Sequence, residues 1–307
     1  MQQEWKYIYT IWQEGSFSAA ARKLFVTQPA LSIAVRRIEE EYGEAIFDRE
    51  AKPLRLTPAG SIVLRTIERT LMLEKEMTDQ IRDLKNGETG QIRIGASPYI
   101  SGCILPDILK GFAEKYPGIR IELFEDSSAK LLPMLEKQEI DITFSCNEEI
   151  IRRFPGRPGF SDRILIAVPS GYPFNELQRA AAMTADMICE GKHLARNAPK
   201  ISLREFRDLS WIMLKNMHDR SEAMFAEAGY EPKISLQLSQ LVSAYSLAQS
   251  GFAAAFVSDR VIRPHDQSLL FFLPDSEYSV REYSMILPQR GYISSACRLF
   301  MDYWLTC

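Results

Sequence analysis

Along the first ninety residues the hydrophobic positions recur at helical intervals, in short runs separated by polar breaks. Trp5, Ile8, Tyr9 and Trp12 share one face of a helix over Gln3 to Glu14, which Gly15 ends. A second helix, capped by Ser18, reaches Leu24, and its Ala19, Ala20 and Ala21 let a neighbouring helix approach closely. Thr27 caps a third, with Pro29 in the first turn. Leu31, Val35, Ile38 and Tyr42 form the inward face of that helix, and Gln28, Ser32, Arg36 and Glu39 lie on the other side.

Between Glu44 and Thr57 the pattern becomes that of a hairpin. Ile46 and Phe47 anchor its first strand, Leu54 and Leu56 its second, and the tip from Arg49 to Pro53 is polar. Thr57-Pro58 then reads as an N-cap followed by proline at the first position of a long helix reaching about Lys85. Val63, Ile67, Leu71, Met77, Ile81 and Leu84 trace one stripe along it, and Gly87 and Gly90 close it. A lone apolar stripe of that length calls for a partner, which predicts a coiled-coil dimerisation helix. Packing against the chain's own second domain is the other reading.

From Gln91 strands alternate with helices: QIRIGAS, PDILKGFAEKYP, IRIELFE, SAKLLPMLEKQ and DITFS. A second such run extends from RILIAVPS through SWIMLK, SEAMFAEAGY, ISLQL and LVSAYSLAQSG to FAAAFVS, and the tail returns with SVREYSMILP and a last helix from Ser294 to Leu305. Alternation of this kind specifies a sheet covered by helices. The expected fold class is α/β with an all-α-rich N-terminal winged helix-turn-helix domain over residues 1–58, a linker helix over 59–88 and a two-lobed α/β domain over 91–307. Lobe I would span about 91–164 plus 266–307 and lobe II about 165–265, leaving a cleft between them.

Charge sharpens the reading of the N-terminal part. The formal net charge of −3 excludes a generally basic polyanion binder, so any affinity for nucleic acid must come from local placement. Arg49, Lys52 and Arg55 do cluster in the hairpin, near Arg36 and Arg37 in sequence. A helix with a polar, small-residue start fits the major groove of duplex DNA, where Gln28 offers a donor and an acceptor to adenine and Ser32 suits base or phosphate. Singly, each of these residues has a plainer reading as a cap or a solvated charge; together they point to DNA.

Other classes receive no support. The five cysteines are scattered and show no metal-ligand spacing, so reduced thiols, no metal and no cofactor are expected. No apolar run reaches the roughly 20 residues that span a bilayer, so no membrane partner and a cytoplasmic location are expected. Enzyme motifs such as a G-x-S-x-G elbow, a Walker loop or an H-E-x-x-H pair are missing.

The stretches SFSAAARKLFVTQPALS, RRIEEEYGEAIFDRE and LRLTPAG resemble the winged helix-turn-helix and linker helix of the LysR-type transcriptional regulators. Downstream, IGAS, LPDILKGFAEKYPGIRIEL, EKQEIDITFS and QSGFAAAFVSDRVIR resemble that family's effector-binding domain, whose fold is periplasmic-binding-protein-like. The resemblance implies a homodimer or homotetramer that binds promoter or operator DNA under the control of a small molecule. It matches Gln28, Pro29 and Ser32 to the start of the recognition helix and Arg49, Lys52, Arg55 and Thr57 to the wing. Where family members often carry arginine and glutamine just after that serine, this chain has Ile33 and Ala34.

Ligands in open α/β sheets sit beyond the carboxyl ends of strands, at helix N-termini. The corresponding positions are Ser97, Pro98 and Tyr99, then Ser127 and Ser128, then Ser145, Cys146 and Asn147, with Lys215, Asn216 and His218 from the other lobe. Such a set suits a carboxylate or another small anion, although plain helix capping accounts equally well for the serines. Tyr99 and Phe256 have a double reading as aromatic stacking surface or core, and His193 and His265 read as surface residues. The segment between Pro173 and Ile201 is longer than the family's usual loop and suggests an extra helix, over the cleft or at a subunit contact. The alternatives to a regulator are a solute-binding module with an assembly-only N-terminal domain and a two-lobed enzyme.

Overall fold

The computed structural model describes residues 3–84 and 89–306, apart from the side chains of Asn216 and His218. Its contacts divide the chain into two compact units, one reaching to Gly90 and taking in Arg290–Ser295, the other formed by Gln91–Gln289 with the end of the chain.

The first unit contains α1 (Gln3–Glu14), α2 (Phe17–Lys23), α3 (Gln28–Tyr42), β1 (Phe47–Asp48), β2 (Arg55–Leu56) and α4 (Pro58–Asp83). Gly15, with φ of 62°, reverses the chain directly after α1 and leaves Ser16 extended. Ser16 therefore caps α2, its Oγ accepting from the Ala19 N–H at 3.4 Å, and Ser18 falls inside the first turn instead of capping it. Thr27 caps α3 as expected, accepting from the Ala30 N–H at 3.3 Å, and Gly43 ends that helix in the left-handed conformation.

Ile8, Ile11, Ala20, Ala21, Leu31, Val35, Ile38, Ile46, Phe47 and Ile67 form one buried cluster. Each large aliphatic side chain removed from water there contributes about 1.5–3 kcal/mol before entropy is counted. Tyr42 is not part of it: at the last residue of α3 the chain is already leaving the core, and the ring is 48% exposed.

The first half of α4 packs inward, through buried Gly60, Leu64 and Ile67 with the partly buried Val63 and Leu71 beside them. Farther along, Leu73, Met77, Ile81 and Leu84 are all more than half exposed. Lys85 and Gly87, expected to end the helix, lie outside the described residues.

The second unit begins with β3 (Gly90–Ala96), α5 (Pro98–Cys103), α6 (Leu105–Lys115), β4 (Ile119–Glu125), α7 (Ser128–Glu136), β5 (Thr143–Ser145) and α8 (Glu148–Arg153). It continues with β6 (Gly156–Pro169), α9 (Glu176–Ala181), α10 (Ala185–Cys189), β7 (Lys200–Ile201), β8 (Ser210–Leu214), α11 (His218–Ala228), β9 (Lys233–Leu238) and α12 (Leu241–Gln249). The last elements are β10 (Ala254–Ser258), β11 (Leu269–Pro274), β12 (Val280–Ile286) and α13 (Ser295–Trp304).

In the first lobe β4 lies beside β3, a parallel bridge from Ile94 to Ile142 joins β3 to the chain entering β5, and β12 lies between β5 and β6. In the second lobe the order is β6, β10, β8, β9, with β11 also pairing β6. The fourteen-residue β6 belongs to both sheets: Gly156–Arg163 pairs with β12, and Ile164–Pro169 pairs with β10 and β11. The expected return to lobe I at residue 266 is too early. β11 pairs Leu269–Phe272 with the lobe II half of β6, because the apolar run LLFFLP needs a buried sheet position.

The long segment after Pro173 forms two short helices, α9 and α10, and the strand β7, which pairs with β11. Met183 bridges to Phe271, and Ala185 and Ile188 are buried, so the segment extends lobe II along its β11 side. His193, read as a surface residue, is only 5% exposed there, its Nε2 lying 3.0 Å from Asp259 Oδ2. His265 is exposed as expected. No helix among the described residues is long and apolar enough to cross a membrane, and no three His, Cys, Asp or Glu among them gather as a metal site.

Candidate DNA interface and effector cleft

The outward face of α3 is solvent-accessible and polar. Gln28, Pro29 and Arg36 are exposed, and Ser32 is partly so. Gln28 Nε2 donates to Ser32 Oγ at 3.0 Å, which pre-orients both groups while leaving the glutamine carbonyl and the serine hydrogen for another partner. Arg36 makes only a loose pair with Glu40, at 3.5 Å between two largely exposed side chains, so little holds it back from a phosphate.

The hairpin residues divide into two kinds. Lys52 and Arg55 are exposed, and neither forms an ion pair among the described residues. Arg49 is bound within the protein: its Nη2 meets Glu39 Oε2 at 2.7 Å and its guanidinium lies over the Phe17 ring at 5.2 Å. Glu39 Oε1 meanwhile accepts from the Ile46 N–H at 2.9 Å, so Glu39 and Arg49 clamp the hairpin to α3.

Thr57 is likewise spent on structure. Its Oγ1 accepts from the Gly60 N–H at 2.9 Å and donates to the Ala45 carbonyl, which fixes the start of α4 against the hairpin. Both bonds of the Thr57 hydroxyl are thereby directed within the protein.

In the second unit, Ser97, Ser127 with Ser128, and Ser145 with Asn147 follow β3, β4 and β5. The Asp126 N–H donates to the Ala96 carbonyl at 3.2 Å, which aligns the carboxyl ends of β4 and β3. Local roles absorb several of the group. Ser97 Oγ caps α5 loosely at 3.5 Å, Asn147 Oδ1 accepts from Ile150 N–H at 3.1 Å, and the buried Ser145 accepts from Asn147 N–H at 3.1 Å. Ser127 and Ser128 are exposed, and Ser127 makes no side-chain cap. Asp126 accepts from the Ser127 N–H at 2.7 Å, and this bond with Lys130 beside it holds its carboxyl below the usual range. An acid of the chain itself thus already sits at the start of α7. Pro98 is partly buried, Lys215 is exposed beyond β8, and the side chains of Asn216 and His218 lie outside the described residues.

Tyr99 is not available for stacking. Only 6% exposed, it donates from its hydroxyl to Asp162 Oδ2 and lies 2.9 Å from Ser258 Oγ. Phe256 is also core, stacked 5.0 Å from Trp211. The group that Tyr99 joins was not foreseen: Arg281 Nε donates to Asp162 Oδ1 at 2.8 Å and its Nη2 to Oδ2, with the side chains 5% and 0% exposed. Burial opposes the arginine charge, but Tyr283 and Asp162 beside it outweigh this and raise its pKa. Ser258 Oγ adds a donor to Asp162 at 2.8 Å, so a buried charge pair is fully hydrogen-bonded where β6 passes between the lobes.

Beside it, Ile151, Pro158, Phe160, Glu282, Tyr283 and Ser284 line an open cleft of about 470 Å³. Phe160 stacks on Tyr283 at 4.4 Å and 7°. The sequence did carry a signal: in SVREYSMI, Arg281 and Tyr283 share the alternation of buried Met285, a charge and an aromatic at inward positions of a strand.

Residues 3–61 match the sequence profile of the bacterial regulatory helix-turn-helix protein, lysR family, and residues 85–306 that of the LysR substrate binding domain. A probable RuBisCO transcriptional regulator from Trieres chinensis is 28% identical over 269 residues, 85% of this chain and 81% of that protein. The HTH-type transcriptional regulator YcgK of Bacillus subtilis is 24% identical over 303 residues, 97% of this chain and 91% of its own length. Among solved structures, full-length CbnR complexed with its target DNA is similar at a TM-score of 0.67 and 19% identity, covering 100% of this chain and 99% of that one. Full-length BenM is similar at 0.55 and 20%, covering 100% and 96%. Helix, turn, hairpin and capped linker in the first unit, and two α/β lobes in the second, thus coincide with both profiles, and the chain belongs to the LysR family of DNA-binding transcriptional regulators with an effector-binding domain.

Proposed function

We propose that this chain reads an operator through α3, contacts phosphates through Arg36, Lys52 and Arg55, assembles as a homodimer or homotetramer through α4, and responds to a small molecule held between its lobes. One observation carries the reading: Gln28 and Ser32 face outward from a capped helix and are hydrogen-bonded to each other, beside exposed cations that no ion pair holds tightly. The exposed stripe of Leu73, Met77, Ile81 and Leu84 supports self-assembly, since an apolar row of this length is stable on a helix only when covered.

The effector is a carboxylate or another small anion. Lys215 supplies a cation for it, and the serines after β3 and β5 supply hydroxyls, whereas Asp126 excludes an anion from the start of α7. Phe160 and Tyr283 provide an aromatic wall for its body. The chain itself performs no chemistry. An electrophoretic shift with the DNA upstream of its own gene, alongside a thermal-shift screen of metabolite anions, tests this. Retarded DNA and a raised midpoint with one anion are expected; failure to retard that DNA with or without the stabilising anion would leave an assembly-only N-terminal domain.

A further inference from the structure

Ile33 occupies the middle of the outward face of α3. Stepping about 100° per residue from the buried Leu31, Val35 and Ile38 places it almost opposite the core, between Pro29 one turn before it and Arg36 and Arg37 one turn after. All of these neighbours are exposed, and Ile33 itself is 69% exposed. A branched hydrocarbon with poor helix propensity therefore stands exposed between the small apolar Pro29 and Ala30 and the charged Arg36 and Arg37, and it covers no part of the core.

An isoleucine has no hydrogen-bond donor or acceptor, so it cannot read the edges of guanine, cytosine or adenine. The one hydrocarbon group that a base presents in the major groove is the 5-methyl of thymine. We infer that Ile33 is a specificity-determining residue that packs against a thymine methyl, so that each half-site holds an A·T pair at the position facing the centre of α3. The inference rests on the operator-reading role of α3 proposed above. Two effects act together: the methyl and the side chain leave water together, and a G·C pair there would have polar edge atoms covered by hydrocarbon without a partner. Arg36 and Arg37 beside it suit phosphates of either strand, which would hold the helix at the depth that this contact needs.

Selection from a random duplex library by the full-length chain supplies the operator for the test. Each thymine of a selected site is then replaced singly by uracil, which removes one methyl and no hydrogen-bonding group. Affinity is read by fluorescence anisotropy at fixed salt. One thymine per half-site is expected to lose about fourfold in affinity on replacement, the worth of one buried methyl. In Ile33→Ala that penalty is expected to disappear while the uracil response elsewhere stays unchanged, with a thermal midpoint that does not fall because the side chain is exposed and alanine is the better helix former. A selected site whose uracil scan is flat, or a penalty that persists in Ile33→Ala, overturns the assignment while leaving operator reading intact. Selection that yields no preferred sequence overturns both.

Discussion

Asp162 and Arg281 face each other across paired strands β6 and β12, joined by Nε–Oδ1 and Nη2–Oδ2 hydrogen bonds with both side chains almost wholly out of water. Desolvating two charges consumes much of what their attraction returns, so the pair holds the geometry of the crossing more than it adds net stability. Removing one partner is a different matter. Arg281→Met leaves the buried Asp162 carboxylate without its cation, with only the Tyr99 and Ser258 hydroxyls donating to it, and is expected to lower stability of the effector-binding unit by about 3–5 kcal/mol in urea denaturation. The double replacement Asp162→Leu with Arg281→Met should recover most of that loss, and a double variant no more stable than the single one would contradict this account.

Gly60 is held at a closer approach than any side chain permits. A Cβ there would sit 2.0 Å from the Ile46 carbonyl oxygen, a backbone atom fixed by the Thr57 N–H. Gly60→Ala should therefore cost about 3 kcal/mol or more and separate the wing from α4. The check is the thermal midpoint of the DNA-binding unit, read through near-ultraviolet circular dichroism.

Self-assembly through α4 predicts a charge-sensitive interface. Leu73→Glu with Met77→Glu, both on exposed positions, should leave the fold of each unit intact while weakening association at least about tenfold. Sedimentation at micromolar concentration would show the smaller species; unchanged association would move the interface elsewhere.

Phosphate contacts and base contacts separate by their salt response. Arg55→Ala should weaken binding to operator and random duplexes alike and reduce the slope of log affinity against log salt by about one unit. Gln28→Ala with Ser32→Ala should instead narrow the gap between operator and random DNA, with the slope retained. Anisotropy titrations at several salt concentrations decide both.

Asp259 supplies a pH-dependent contribution. Burial opposes its ionisation, but hydrogen bonds from His193 and the Arg163 N–H prevail and hold its carboxyl below the ordinary range. A lowered folded-state pKa means stability that is present above the unfolded value near ~4 and lost as pH falls through the folded value. Asp259→Asn should thus be less stable than the parent at pH 7 by about 1–2 kcal/mol, with the gap closing below about pH 4. Urea midpoints at the two pH values provide the measurement.

Much of the first unit was legible because its signals are local: Thr27 and Thr57 cap helices within one turn of themselves, and Leu31, Val35 and Ile38 repeat at the helical period. The cap at Ser16 was missed because Ser18 carries the same chemistry, and only the reversal at Gly15 selects between them. The role of Arg49 and the second bond of Thr57, to the Ala45 carbonyl, were hidden for a related reason. A cation and a hydroxyl in a wing suit phosphate equally well until Glu39 and the Ala45 carbonyl are brought beside them. In the second unit the strand ends were readable, but Asp162 and Arg281 are 119 residues apart and meet only through sheet register. The burial of His193 likewise depends on Asp259, which reaches it from far along the chain.

The unbroken course of β6 makes the lobes indivisible. Severing the chain at Arg163 would part the strand that pairs β12 in lobe I from the one that lies between β10 and β11 in lobe II, so neither half is expected to survive as an isolated fragment, and a protease that nicks there would inactivate both. Any opening or closing between the lobes has to be accommodated as twist within that ribbon and within the return from β11 to β12, with the Asp162 carboxylate at the fulcrum.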